Sequence, residues 1–197
     1  MVVPWLRMIR IGISLIGKPR VDVFATTCVR IRIWPNDLDA NLHVNNGRYL
    51  TLADLGRIHW FVRTGVYQSA KRQGTMPVVG DAIAKYRREL KAFQTVDIES
   101  RLVGWSGRWA FLEHRFIRHG RVVAMVGVRG ALKGADGTVD SWVSLTHSSK
   151  AAAGLPGAAP LISPPLPAWA LAFQQGAEAA SVMLRTEEQG GGRSGQV

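Results

Sequence analysis

The run from Trp34 to Tyr49, WPNDLDANLHVNNGRY, constrains this chain more than any other stretch, because it packs two carboxylates, four Asn and one His into a short connection. Upstream, Val29, Ile31 and Ile33 alternate with Arg30 and Arg32, the pattern of a half-buried strand. Downstream, Tyr49, Leu52, Leu55, Ile58 and Val62 recur at helical spacing, which predicts an amphipathic helix from near Asn46. A plain strand-to-helix connection needs only one or two turn residues. Asp39, Asn41 and His43 fall at alternate positions, so an extended backbone would present all three on one side. The pattern points to a polar reaction site at the mouth of a helix.

Asx residues also cap helices and close turns by bonding nearby backbone N–H groups. For Asp37, Asn45 and Asn46 taken singly, that account serves as well as a chemical one, and Asp37 is expected to hold the loop. Capping gives no reason for the His, nor for the two-residue spacing of Asp39, Asn41 and His43.

After the helix the sequence predicts a polar break at Gln68–Gly74 and an extended run from Met76 to Leu90. Strands follow at Val96–Val103, Trp109–Ile117 and Val122–Val128, with turns at Gly104–Gly107 and His119–Gly120. Strands at hairpin spacing imply an antiparallel sheet, and one helix before them covers one face, which is an α+β layering. Residues 147–168 are rich in Ala, Gly, Ser and Pro and read as a linker. A helix is expected over Ala168–Arg185, with Pro167 near its first turn, and then a disordered Gly190–Gly195 tail.

At 197 residues and 47% hydrophobic, the chain has material for one core and little more. The single Cys28 cannot form an intrachain disulfide and is expected to be a small buried residue. The sequence holds no Cys/His cluster at metal-ligand spacing, no Gly-rich phosphate loop and no Gly-x-Ser-x-Gly elbow, so neither metal, organic cofactor nor serine nucleophile is expected. The net charge of +11 raises nucleic-acid binding. Yet Arg30, Arg32, Arg101, Arg115 and Arg118 are spread along strands without a basic helix or stacking aromatics, so solvated strand faces are the better account and no nucleic-acid partner is expected. His59, His114, His119 and His147 lack partners at useful spacing and are assigned surface or packing roles.

The first twenty residues interleave Trp5, Leu6, Met8, Ile9, Ile11, Ile13, Leu15 and Ile16 with Arg7, Arg10, Lys18 and Arg20. The apolar run is shorter than the ~20 residues of a membrane span, and no small-residue cleavage site follows it. A short helix lying on the domain or on a membrane surface is expected, dispensable for chemistry and governing location.

With these residues set out, the loop resembles the signature of hotdog-fold thioesterases. Asp37-Leu38-Asp39, then His43-Val44-Asn45-Asn46 and Tyr49, is similar to the 4-hydroxybenzoyl-CoA thioesterase type. Asp39-x-Asn41-x-His43 resembles the motif of plant acyl-ACP thioesterases, and Tyr86-Arg87-Arg88-Glu89 resembles the segment carrying their catalytic Glu. Leu90 stands where those enzymes have a Cys, so no Cys role carries over. Residues 22–145 are also similar to the thioesterase superfamily member six group. The resemblance implies an antiparallel sheet wrapped around a central helix over 22–145, flanked by an N-terminal segment (1–21), a linker (146–167) and a C-terminal helix and tail (168–197). It implies hydrolysis of acyl-CoA or acyl-ACP in the cytoplasm, with Asp39, Asn41, His43 and Glu89 catalytic and the backbone N–H groups of Asn46, Gly47 and Arg48 receiving the oxyanion. A homodimer or tetramer is expected, since hotdog sheets pair edge to edge, as is peripheral membrane contact through residues 1–20. CoA and phosphopantetheine phosphates would account for part of the basic charge. The alternative is a hotdog module that binds acyl groups or a membrane without turnover.

Overall fold

Alternation along β1 (Thr27–Arg32) sorts its residues by face: Thr27, Val29 and Ile31 are buried, whereas Cys28, Arg30 and Arg32 are exposed. Cys28 is therefore not the buried residue expected, because strand phase groups it with the arginines. The computed structural model describes residues 4–135, 137–139 and 161–191. Around β1 the order is α1 (Pro4–Leu15), a 3-10 turn (Pro35–Asp37), α2 (Asn46–Thr64), α3 (Val66–Arg72), β2 (Met76–Tyr86), β3 (Thr95–Ser106), β4 (Trp109–Arg118), β5 (Arg121–Gly134), β6 (Gly137–Val139) and α4 (Ala168–Gly191). The chain forms two compact units, Met1–Pro164 and Pro165–Val197, the second containing α4. The expected linker lies mostly outside the described residues, as do His147 and residues 192–195 of the Gly-rich tail; Gly190 and Gly191 end α4.

The sheet is antiparallel in the order β1-β3-β4-β5-β2, with β6 pairing β5. Three strands, β3 to β5, are joined as hairpins, but β2 pairs β5 and not its sequence neighbour β3. The expected turn at Gly104–Gly107 is tighter, since β3 runs to Ser106 and Trp105 pairs with Ala110. The expected polar break at Gln68–Gly74 is largely helical: Gly65, at φ 77°, ends α2 and α3 starts at once.

Helix α2 contacts every long strand of the sheet, β1 to β5. Its buried face carries Tyr49, Leu52, Ala53, Leu55, Gly56, His59 and Trp60. Ile98, Leu102, Leu112, Phe116, Val126 and Val128 are buried in the same core. Gly56 sets how closely helix and sheet approach, because a Cβ there would lie 2.8 Å from Ile98 Cγ2 and closer still to Ser100 Oγ. The result is the α+β hotdog architecture, a sheet curved around a central helix. The strand arginines are not only solvated. Arg30 pairs with Asp97, Arg101 and Arg115 share Glu113, and Arg129 pairs with Asp81.

Two of the histidines are packing residues of an unusual kind. His114 is fully buried, and its Nδ1 lies 2.8 Å from Ser100 Oγ, its cross-strand partner. Burial, with Arg57 nearby, pushes its pKa down to about 3. His59 on α2 is 3% exposed, and burial together with Arg63 and Lys18 lowers its pKa to about 4. Both folded values lie below the ordinary 6.5, so the unfolded chain takes up these protons first. Stability from these two rings is complete above about pH 6.5 and is lost as pH falls toward 4, by about 1.4 kcal/mol per pH unit for each ring. Thermal melts across that window should show a steep acid decline, and His114→Gln should make it shallower. An unchanged slope in that variant would refute the assignment.

Candidate active site

The polar run folds as a closed turn. Leu38 and Val44 form an antiparallel bridge, Asp39 N–H donates to the His43 carbonyl at 2.9 Å, and Leu42 N–H donates to the Asp39 carbonyl at 3.0 Å. Leu42 closes the turn at φ 60°, a left-handed conformation. The extended backbone expected for Asp39, Asn41 and His43 is thus replaced by a turn, yet it still brings these residues together. Asp39 Oδ1 accepts the Asn41 N–H at 2.9 Å, and Oδ2 lies 3.5 Å from His43 Nδ1. Asn41 contributes through its backbone, and its side chain is exposed. Asp39 and His43 are only partly exposed, at 23% and 31% of their side chains.

Asp37, two residues earlier, does different work. Its fully buried carboxylate receives Arg7 at 2.5 and 3.0 Å, Arg48 at 2.8 and 3.2 Å, and the Trp34 N–H at 2.9 Å. Burial alone would raise its pKa, but the two guanidinium groups and the amide outweigh this and hold it below the ordinary carboxylate value. It fixes the loop, as the sequence indicated, but through side chains as well as backbone. Arg7 belongs to α1, so the N-terminal helix is tied into this loop, in keeping with the first of its two expected placements, on the domain. No motif in the sequence links positions 7 and 37.

The first turn of α2 corrects the oxyanion expectation. Asn45 caps the helix: its Oδ1 accepts the Gly47 N–H at 2.9 Å and its carbonyl accepts the Arg48 N–H at 2.9 Å. Gly47 and Arg48 amides are therefore engaged in the cap, and the Arg48 side chain is on Asp37. The Asn46 N–H has no hydrogen-bond partner among the described residues. Asn46 borders an open cleft of about 240 Å³ lined by His43, Val44, Tyr49, Tyr86, Arg87, Arg88 and Glu89. Asp39, in contact with His43, and Asn41 do not line it.

Glu89 reaches this cleft because the segment after β2 is stitched to its neighbours. Val44 N–H donates to the Leu90 carbonyl at 2.8 Å, and the Arg87 and Arg88 N–H groups donate to the Val123 carbonyl. Leu90, in the position of the plant enzymes' Cys, is fully buried and packs in the core. Glu89 is 63% exposed and 3.8 Å from Lys91. Tyr86, given no role from sequence, donates its hydroxyl to the Asn46 carbonyl at 2.9 Å and packs 5.1 Å from the Tyr49 ring. The Tyr-Arg-Arg-Glu run that flagged Glu89 also carried that signal. Among the described residues, no group of three or more His, Cys, Asp or Glu is placed to hold a metal ion.

A family model described as "Thioesterase-like superfamily" matches residues 33–172, most of the chain. The chain belongs to the thioesterase-like superfamily. It is 36% identical to Protein THEM6 of Xenopus laevis over 85 residues, covering 43% of this chain and 41% of that one. Such alignments span half or less of the curated relatives' own length. Among solved structures it is similar to the probable thioesterase YbaW of Escherichia coli, with TM-score 0.56 and 22% identity over 60% of this chain and 92% of that chain. It is also similar to a 4-hydroxybenzoyl CoA thioesterase variant complexed with 4-hydroxybenzoyl CoA, with TM-score 0.54 and 14% identity over 61% and 95%. At these identities the structures speak to fold alone, and the fold they share with this chain is the hotdog.

Proposed function

We propose that the protein hydrolyses acyl thioesters carried on CoA or acyl carrier protein. The observation that carries this reading is that His43, Glu89 and Asn46, whose amide is unpartnered among the described residues, line one cleft, with the Asp39 carboxylate 3.5 Å from His43. The thioester carbonyl lies over the start of α2, where the Asn46 N–H and the positive helix end stabilise the developing oxyanion. Asp39, which does not line the cleft, takes the proton through His43 as water adds to the carbonyl carbon, or swings past His43 to attack that carbon itself and is released by water. In either route the C–S bond breaks and the thiol leaves with a proton. His43 holds the water or the carboxylate in line, and Glu89, which lines the same cleft, shares the base role. Exposed Arg87 and Arg88 supply cations for the carrier phosphates. The deciding experiment is thiol release from the purified protein over short, medium, long and aromatic acyl-CoA substrates. Hydrolysis of none of them would favour a module that binds acyl groups without turnover.

The same reading includes a homodimer or a larger assembly of dimers. Among the described residues β2 is an edge of the sheet, unpaired on its outer side, and it exposes Met76, Val79 and Tyr86. Such an edge is a template for pairing with a second copy, and β2 runs straight into the Arg87–Glu89 wall of the cleft. Light scattering is expected to give at least a dimer at micromolar concentration; a stable monomer would exclude a site shared between subunits.

A further inference from the structure

A second cleft, of about 330 Å³, lies between α1 and β1 and shares no lining residue with the first. Its size is that of a small-ligand site. Arg7, Arg10, Lys18, Arg30 and Arg32 line it, and no carboxylate does. Ile11, Val29, Ile31 and Trp34 form its apolar part. All lining residues except Trp34 and His59 lie before residue 33, so the cleft is built largely outside the family segment.

The cations divide by how they are already used. Arg30 pairs with Asp97, and Arg32 donates to the Phe93 carbonyl while its guanidinium lies over the Trp34 and Phe93 rings. Arg7 gives its terminal nitrogens to Asp37, but its Nε is buried without a hydrogen-bond partner. Arg10 and Lys18 have no carboxylate partner among the described residues. The decisive group is His59. It is 3% exposed, it borders the cleft, and its buried Nδ1 has no partner. The Arg7 Nε–H is a buried donor left without an acceptor, which is costly, and His59 Nδ1 is a second in the tautomer that carries its proton there, so an anion in this cation-lined recess would satisfy both.

We propose that this cleft binds a phosphate ester, with Arg10 and Lys18 at its mouth and the orphaned nitrogens of Arg7 and His59 at its base. Phosphate fits because it offers several acceptor oxygens and charge enough to satisfy converging donors. The apolar part suits the organic moiety of the ester. Two sources share this chemistry, a soluble phosphate monoester and a phospholipid headgroup. The second gains from Leu6, Ile9, Ile13 and Ile16, which form an exposed apolar stripe along and just beyond α1.

The test uses the full chain with three probes: glycerol 1-phosphate, vesicles of phosphatidylcholine containing phosphatidic acid, and vesicles of phosphatidylcholine alone. Binding of glycerol 1-phosphate, with movement of the His59 ring resonances in NMR, assigns the cleft to a soluble ester. Binding only of the phosphatidic acid vesicles, with the same movement, assigns it to a headgroup. In either case the double variant Arg10→Gln/Lys18→Gln, both exposed side chains, should weaken binding by roughly tenfold or more, the scale of one or two charge-assisted hydrogen bonds. The proposal is overturned if neither phosphate probe binds, if binding leaves the His59 resonances unmoved, or if the double variant binds as tightly as the parent. Equal binding to phosphatidylcholine alone would also overturn it, since the apolar stripe would then act without the cleft.

Discussion

Asp39→Asn is expected to lower thioester turnover by roughly 10²–10⁴-fold, the usual scale for a general base, while leaving the melting temperature nearly unchanged. Asn keeps an Oδ1 that accepts the Asn41 N–H, so the turn from Leu38 to Val44 survives. It removes the charge that faces His43 Nδ1. Glu89→Gln is the control that separates the two carboxylates. Glu89 is on the cleft wall and largely exposed, whereas Asp39 does not line the cleft and contacts His43. Near-full activity of Asp39→Asn alongside a dead Glu89→Gln would make Glu89 the base. Full activity in both, on a substrate the parent hydrolyses, would move the site elsewhere.

Asp37→Asn reverses the pattern, with a large loss of stability and a smaller one of rate. The fully buried carboxylate neutralises Arg7 and Arg48, and Arg7 is itself nearly buried. Removing the charge leaves two guanidinium groups uncompensated in a low-dielectric site, at a cost of about 3–5 kcal/mol. Chemical denaturation read by fluorescence of the native tryptophans would measure it. A loss below about 1 kcal/mol would place the triad among ordinary surface ion pairs.

What the sequence revealed was local. The period-two pattern of β1 and β3 and the period-3.6 pattern of α2 each answer to one buried face, and the helix starts at Asn46 as the apolar spacing indicated. Cys28 was legible too, being in phase with Arg30 and Arg32; treating it by residue type instead of strand phase misplaced it. Three features were not legible, each for a physical reason. The β2–β5 pairing joins segments with two strands between them, and strand patterns carry no address for a partner. The turn at Asp39 depends on Leu42 adopting φ 60°, which a leucine does not advertise. The Arg7–Asp37 pair spans thirty positions and exists only once α1 has docked.

The Arg7–Asp37 pair also marks a boundary. The family segment opens at Ile33, after both α1 and β1. A protein trimmed to that segment would lose the strand whose Val29 and Ile31 pair with Ile98 and Val96. It would expose β3 as a fresh, unpaired edge open to aggregation. The same cut would remove one of the two guanidinium groups holding Asp37, and with it half the clamp on the turn that carries Asp39. The length over which kinship with the thioesterase-like superfamily is readable is therefore shorter than the length that must be expressed to keep β3 paired and the Asp39 turn fully clamped.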